Sequence, residues 1–270
     1  MTGPPVDPVA GDSVRGVRDE VAIVTGAGSG IGQATARRLA NDGTTVVCVD
    51  VDRAALTRTV QEMVHDGLRG VAAVADVAVD EDCRLAVAAA ADLGRIRALV
   101  NVAGIMAEDD RIDRLSEQAW NHVLAVNLGS VFFMSRHTIP LMRQGGGGVI
   151  VNTGSVHAYA TCRATASYAA SKGAIVALTR QMALDYADDL IRVVAVAPGS
   201  VDTPMSRRAI ATAGAASFDE LGFSTHLGAA GRVGQPHEVA EAIAWLTSGG
   251  ASFVNGTTLA VDGGLLARLV

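Results

Sequence analysis

Short apolar runs rich in β-branched residues recur along this chain, and each is followed by a stretch whose apolar residues repeat at helical spacing. Val21-Ala22-Ile23-Val24 runs into a glycine-rich turn, after which Ile31, Thr35 and Leu39 recur four residues apart. The alternation continues with strands predicted at residues 45–50, 71–75, 98–101, 149–152, 191–197 and 257–261. Helices are predicted between them at 53–65, 80–93, 116–142, 167–186 and 236–246. The strand runs are apolar throughout and do not alternate in and out, which is the pattern of a strand covered on both faces. Parallel neighbours need a crossover, and right-handed crossovers lay helices over both sides of the sheet. The expectation is an α/β fold, a doubly wound parallel sheet of about seven strands. The 270 residues suit a single domain over 19–270, preceded by a flexible Pro- and Gly-containing arm over 1–18.

The first strand-to-helix turn reads Thr25-Gly26-Ala27-Gly28-Ser29-Gly30-Ile31-Gly32. Its spacing is GxxxGxG instead of GxGxxG, but the physics is the same. Glycines let the backbone turn sharply and approach a pyrophosphate, whose charge then rests on free N–H groups at the positive end of the helix. Gly26, Ser29, Gly30, Ile31 and Gly32 are therefore candidate cofactor-binding residues in a dinucleotide-binding (Rossmann) fold. Asp50, followed by Val51, closes the second strand, where an acid accepts hydrogen bonds from both hydroxyls of an adenosine ribose. That predicts NAD. A 2′-phosphate would face Asp50 with Asp52 nearby, a repulsion of a few kcal/mol that outweighs help from Arg53, and Ser29 brings no guanidinium.

Tyr168 and Lys172 stand four apart in a predicted helix and so share a face. Taking the proton from a secondary alcohol needs a base, and an unperturbed phenol with a pKa of ~10 is neutral at working pH. The Lys172 ammonium, with a positive nicotinamide ring, is expected to shift Tyr168 towards that pH. Ser155 follows an apolar strand and Asn152-Thr153-Gly154, and its hydroxyl suits the charge that develops on a substrate oxygen. It is not read as a nucleophile, because Gly154-Ser155-Val156-His157 lacks the GxSxG form. His157 is a candidate substrate contact beside Ser155 and Tyr168. Glu108-Asp109-Asp110 has no histidine or further ligand pattern beside it, so no metal site is expected.

Together these residues resemble the short-chain dehydrogenases/reductases in their compact single-domain form, from about Val21 to the C-terminus. The resemblance adds Asp76 with Val77 as adenine contacts, and Asn101, Ala103 and Gly104 as the Asn-x-Ala-Gly motif. Val102 stands where the family commonly has a second Asn. Pro198, Gly199, Val201 and Thr203, in the run ending Pro204-Met205, match the segment that holds the nicotinamide carboxamide. The implied catalytic set is Asn127, Ser155, Tyr168 and Lys172. Asn127 would kink the long helix and anchor a water leading to Lys172, which would hydrogen-bond the nicotinamide ribose. The resemblance implies hydride transfer without a metal, between NAD(H) and a secondary alcohol or ketone. Two alternatives are an NADPH-dependent ketoreductase such as a 3-oxoacyl-thioester reductase, and an inactive dinucleotide-sensing protein.

Charge and composition narrow the partners to small molecules. The net charge of −6 is spread without a basic cluster, which argues against nucleic acid, and no apolar run reaches the length of a membrane span. Cys48, Cys83 and Cys162 are odd in number and lack CxxC spacing, so they are expected to be buried small residues in a reduced cytoplasmic setting. A homotetramer is expected from the family and from the apolar end Leu265-Leu266-Ala267-Arg268-Leu269-Val270. Residues 206–227, with Phe218, Leu221 and Phe223, are expected to form a mobile lid over an apolar substrate.

Overall fold

A computed structural model describes residues 20–106, 110–212 and 229–267. The expected arm, Glu108 and Asp109, the lid beyond residue 212 with its three large apolar residues, and the last three residues lie outside the described residues. The order of elements is β1 (Glu20–Thr25), α1 (Gly30–Asn41), β2 (Thr45–Asp50), α2 (Arg53–His65), β3 (Gly70–Val74), α3 (Asp80–Ala91) and β4 (Arg95–Asn101). Then come α4 (Glu117–Leu124), a π turn (Ala125–Gly129), α5 (Ser130–Gln144), β5 (Gly148–Thr153), α6 (Ala166–Asp185) and β6 (Ile191–Pro198). The last are α7 (Pro204–Thr212), α8 (Pro236–Thr247) and β7 (Thr258–Val261).

The seven strands form one sheet in the order β3-β2-β1-β4-β5-β6-β7, parallel at every pairing. Successive residues of each central strand feed opposite cores. Ala22, Val24, Val46, Cys48, Val100 and Val151 face α1, α2 and α8 through Leu39, Leu56, Met63 and Ile243. Val21, Ile23, Val47, Leu99, Ile150 and Val193 face α3, α5 and α6 through Val87, Met134, Met142 and Met182. This double coverage is why the strands read as unbroken apolar runs. Because the chain winds outward in both directions from the β1–β4 pair, the two crossovers there diverge and leave a crevice at the carboxyl ends of the strands.

Three expectations need correction. β3 is the sheet edge, with Val71 and Val74 exposed, because it has a neighbour on one side only. The long helix expected over 116–142 is interrupted at residues 125–129, where the ladder loosens into one π turn. Cys48 and Cys83 are buried as expected, but Cys162 is exposed because it lies in the loop before α6.

Candidate active site

The glycine turn leaves β1 between two close backbone approaches. Gly26 and Gly30 have φ of 66° and 54°, which side-chain-bearing residues rarely adopt. A Cβ on Gly26 would stand 3.0 Å from the Ala103 backbone, and one on Gly32 would overlap the Gly26 carbonyl oxygen. Ser29 caps α1 by backbone alone, without a side-chain hydrogen bond, so the first N–H groups of the helix keep their donors open. Thr25 Oγ accepts from the N–H groups of Val102 and Ala103, each at 3.0 Å, and so fastens the end of β4 to the turn.

Asp50 stands over the same turn. One carboxylate oxygen accepts from Gly28 N at 2.8 Å and the other from Asp52 N at 2.9 Å. Each oxygen keeps a further lone pair, so two hydroxyls can be added without displacing a protein bond. Val51 beside it is 66% exposed, open to anything bound along this edge. Across the crevice, Val77 is buried, and Asp76 accepts from Ala78 N at 2.9 Å while its own N–H is held by Asp82. Thr203 Cβ lies 3.3 Å from where a Gly30 Cβ would be, which brings the segment after β6 over the first turn of α1. Ser206 fixes that segment by accepting from Thr203 N at 2.9 Å and donating to the Val201 carbonyl at 2.8 Å. Pro198 ends β6, and Gly199 packs so tightly on Asp262 that a Cβ would come within 2.8 Å of it.

The chemical residues meet where β4, β5 and α6 converge. Asn127 is fully buried in the π turn, and its amide pairs with the Ile105 backbone in both senses, Oδ1 accepting at 2.7 Å and Nδ2 donating at 3.0 Å. Nδ2 also donates to Ser171 Oγ at 3.0 Å, next in sequence to Lys172. A Cβ on Gly104 would stand 3.2 Å from Asn127 Oδ1 and 3.6 Å from Lys172 Nζ, so a side chain there would intrude between the two. Lys172 is 3% exposed and donates to the Thr153 carbonyl at 2.8 Å. Burial without a carboxylate partner lowers it to about 8. Its Nζ lies 5.6 Å from the centre of the Tyr168 ring.

Tyr168 is half-buried, facing Ser155 and His157. Burial pushes its phenol upward, and the hydrogen bond with Ser155 draws it partly back. The expected shift towards working pH by Lys172 is therefore not found in the protein alone, where desolvation of the phenolate is the larger effect. Ser155 Oγ accepts from His157 N at 3.1 Å, which turns the chain into a short helical turn over Val156–Ala158. His157 meets the Tyr168 ring edge to face, with centroids 5.4 Å apart, and burial lowers its pKa.

All four expected chemical residues thus lie together at the carboxyl ends of the strands, next to Gly104, with Ala103 against the glycine turn at Gly26. Asn101 stands apart in a buried side-chain chain, donating to Asn152 at 2.9 Å, while Asn152 donates to Thr179 at 3.0 Å. Its own Oδ1 and the Oγ of Thr153 are buried without a partner among the described residues. Sequence reasoning passed over Thr25, Thr153, Ser171 and Ser206, which position the others. For Thr25, Ser171 and Ser206 the shared signal is a small hydroxyl residue at an element boundary or directly beside a chemical residue, whereas Thr153 acts through its backbone carbonyl, which no side chain announces. Among the described residues no group of His, Cys, Asp or Glu is arranged to hold a metal, and no helix is long and apolar enough to cross a membrane.

The chain matches a family model described as enoyl-(acyl carrier protein) reductase over residues 26–266. It is 38% identical to a cyclohexanol dehydrogenase of Acinetobacter sp. (strain SE19), over 93% of this chain and 96% of that protein. Among solved structures, levodione reductase superposes with a TM-score of 0.87 at 32% identity, covering 94% of this chain and 100% of that one. A 3-ketoacyl-(acyl-carrier-protein) reductase from Brucella melitensis, complexed with NADH, superposes with a TM-score of 0.83 at 33% identity, covering 93% and 99%.

Proposed function

The chain belongs to the short-chain dehydrogenases/reductases, and from that premise we propose that it is an NAD(H)-dependent oxidoreductase interconverting a secondary alcohol and a ketone. The observation that carries this reading is the convergence of Ser155, Tyr168 and Lys172 beside the glycine turn. The residues that would hold the dinucleotide are Gly26, Ser29, Gly30, Ile31 and Gly32 for the pyrophosphate, Asp50 and Val51 for the adenosine ribose, and Asp76 and Val77 for adenine. Asn101, Ala103, Gly104, Pro198, Gly199, Val201 and Thr203 would flank the nicotinamide half. The open N–H groups of α1 and the two spare lone pairs of Asp50 fit such a group. Bound NAD supplies the hydride acceptor, and NADH the donor.

The protein's own part is proton transfer and positioning. Ser155 and the Tyr168 phenol hold the substrate oxygen, and donors fixed in advance favour the more charged oxygen of the transition state. Ketone reduction takes a proton from the neutral phenol, the form that burial favours. Alcohol oxidation needs the phenolate as base, and the Lys172 ammonium is the nearby charge that stabilises it. Asn127 acts behind them by holding Ser171 and the Ile105 backbone.

NAD is proposed over NADP because a 2′-phosphate would face Asp50, with Asp52 nearby at the cap of α2. The thioester ketoreductase with NADPH is the second reading, favoured by the 33% identity to the Brucella enzyme; that enzyme's complex contains NADH. A homotetramer is proposed from apolar residues left exposed, Phe132 on α5 and Leu184 on α6. The three free cysteines support a reducing, cytoplasmic setting.

Tyr168→Phe tests the assignment. Turnover of a secondary alcohol should fall about 10²-fold or more while NADH binding, followed by its fluorescence, stays nearly intact. Near-normal turnover would refute it.

A further inference from the structure

The loop between His157 and α6 contains a hydrogen-bond chain whose direction is forced. Thr165 Oγ lies 2.9 Å from the Cys162 carbonyl, which only accepts, so the one hydroxyl proton of Thr165 is committed there. Thr165 therefore accepts from Thr161, whose Oγ is 2.9 Å away. With its own proton spent on Thr165, Thr161 accepts from His157 Nδ1 at 3.1 Å. His157 must carry its proton on Nδ1, and burial disfavours a second one. The loop is held tightly enough to keep Ala164 at φ 54°, a conformation rare for a residue with a side chain.

The consequence falls on the other ring nitrogen. Nε2 makes no hydrogen bond among the described residues, and in this tautomer it presents a lone pair. The ring that carries it lies against the Tyr168 phenol, and its residue stands two positions after Ser155, whose Oγ accepts from the His157 N–H, beside the place proposed for the reacting oxygen. We propose that His157 is a specificity-determining residue, whose Nε2 accepts a hydrogen bond from a second hydroxyl on the substrate. This rests on the dehydrogenase reading above and narrows it to alcohols that bear a further donor. A carboxylate or ether oxygen at that position would meet the lone pair without a proton between them.

The test compares the isomeric cyclohexanediols with their monomethyl ethers, which keep the second oxygen but lose its proton, and with hydroxycyclohexanecarboxylates. For the unmodified protein the best diol should exceed its ether about tenfold in kcat/KM, the discrimination expected of one neutral hydrogen bond in a half-open site. His157→Phe should bring that ratio close to one, and His157→Gln, whose amide oxygen also accepts, should restore part of it. Thr161→Val should weaken the ratio through the tautomer alone. Nitrogen NMR of the histidine ring should find Nε2 unprotonated in the parent and a mixture of tautomers in Thr161→Val, a readout independent of turnover. A ratio unchanged by His157→Phe, a preference for the ether or the carboxylate, or a proton on Nε2 would each overturn the proposal. If the unmodified protein oxidises none of the alcohols with either dinucleotide, the dehydrogenase reading fails and this assignment falls with it.

Discussion

Replacing Lys172 with methionine should make the cofactor-free protein more stable near neutral pH while removing its chemistry. The ammonium is 3% exposed, and burial lowers its pKa from 10.5 to about 8. At about 1.4 kcal/mol for each pKa unit, keeping the charged form in the fold costs about 3 kcal/mol. The bond to the Thr153 carbonyl returns part of this, and losing it leaves a buried acceptor, a loss of about 1–2 kcal/mol in the variant. The balance favours Lys172→Met by about 1–2 kcal/mol at neutral pH.

The pH dependence gives the sign. A lysine depressed by folding contributes its stability above the unfolded value, 10.5, and loses it as pH falls through the folded value, about 8. Between those values the unfolded chain binds more protons than the folded one, so the parent gains stability as pH rises and the variant lacks this gain. Urea denaturation of both proteins, at neutral pH and again near pH ~10, reads the difference once Tyr168→Phe is introduced into both, so that the neighbouring phenol does not titrate. A variant less stable than the parent at neutral pH, or a difference that does not change with pH, would refute the reasoning.

Asp50→Ala should relax the proposed preference for NAD, chiefly by improving NADP binding; tighter NADPH than NADH binding by the unmodified protein, measured by fluorescence titration, would overturn the reading of Asp50. Gly32→Ala should cost about 3 kcal/mol or more in urea denaturation and weaken dinucleotide binding, since the added methyl overlaps a carbonyl oxygen that cannot move without reshaping the turn. Light scattering at micromolar concentration should give four times the chain mass of 27.6 kDa, and a monomer would remove the proposed assembly.

Most of the architecture was legible because a doubly covered parallel strand leaves a local signature. Val46-Val47-Cys48-Val49 announces burial on both faces whatever its neighbours, and each such run became a strand within a residue or two at most boundaries. β4 was longer than expected because Arg95 and Arg97 break its apolar run, although Arg95 still pairs with Glu20 of β1 and Arg97 sits where the register shifts, its guanidinium donating to the Gly147 carbonyl. The glycine turn and the Tyr168–Lys172 pair were legible because their spacing states a geometry directly. Less visible were relations between distant segments. Thr25 fastening Val102 and Ala103, or Asn127 reaching both Ile105 and Ser171, depends on how strands are ordered across the sheet. The upward shift of Tyr168 in the protein without its dinucleotide was also not legible, because desolvation depends on packing that no four-residue spacing reveals.

The π turn at Ala125–Gly129 makes chain length itself part of the site. A helix that widens for one turn holds a residue more than a regular α-helix needs to cover the same path. Removing a single residue there would let α4 and α5 join as one uninterrupted helix, with little cost to its hydrogen bonds. The flanks would keep their places, while residues within the turn would change their angular position about the helix axis by up to about 100°. Asn127 would swing away from Ile105 and Ser171, while β4 and α6 stayed where they are. A single-codon deletion here would therefore act on the site behind the lysine and not merely shorten a helix.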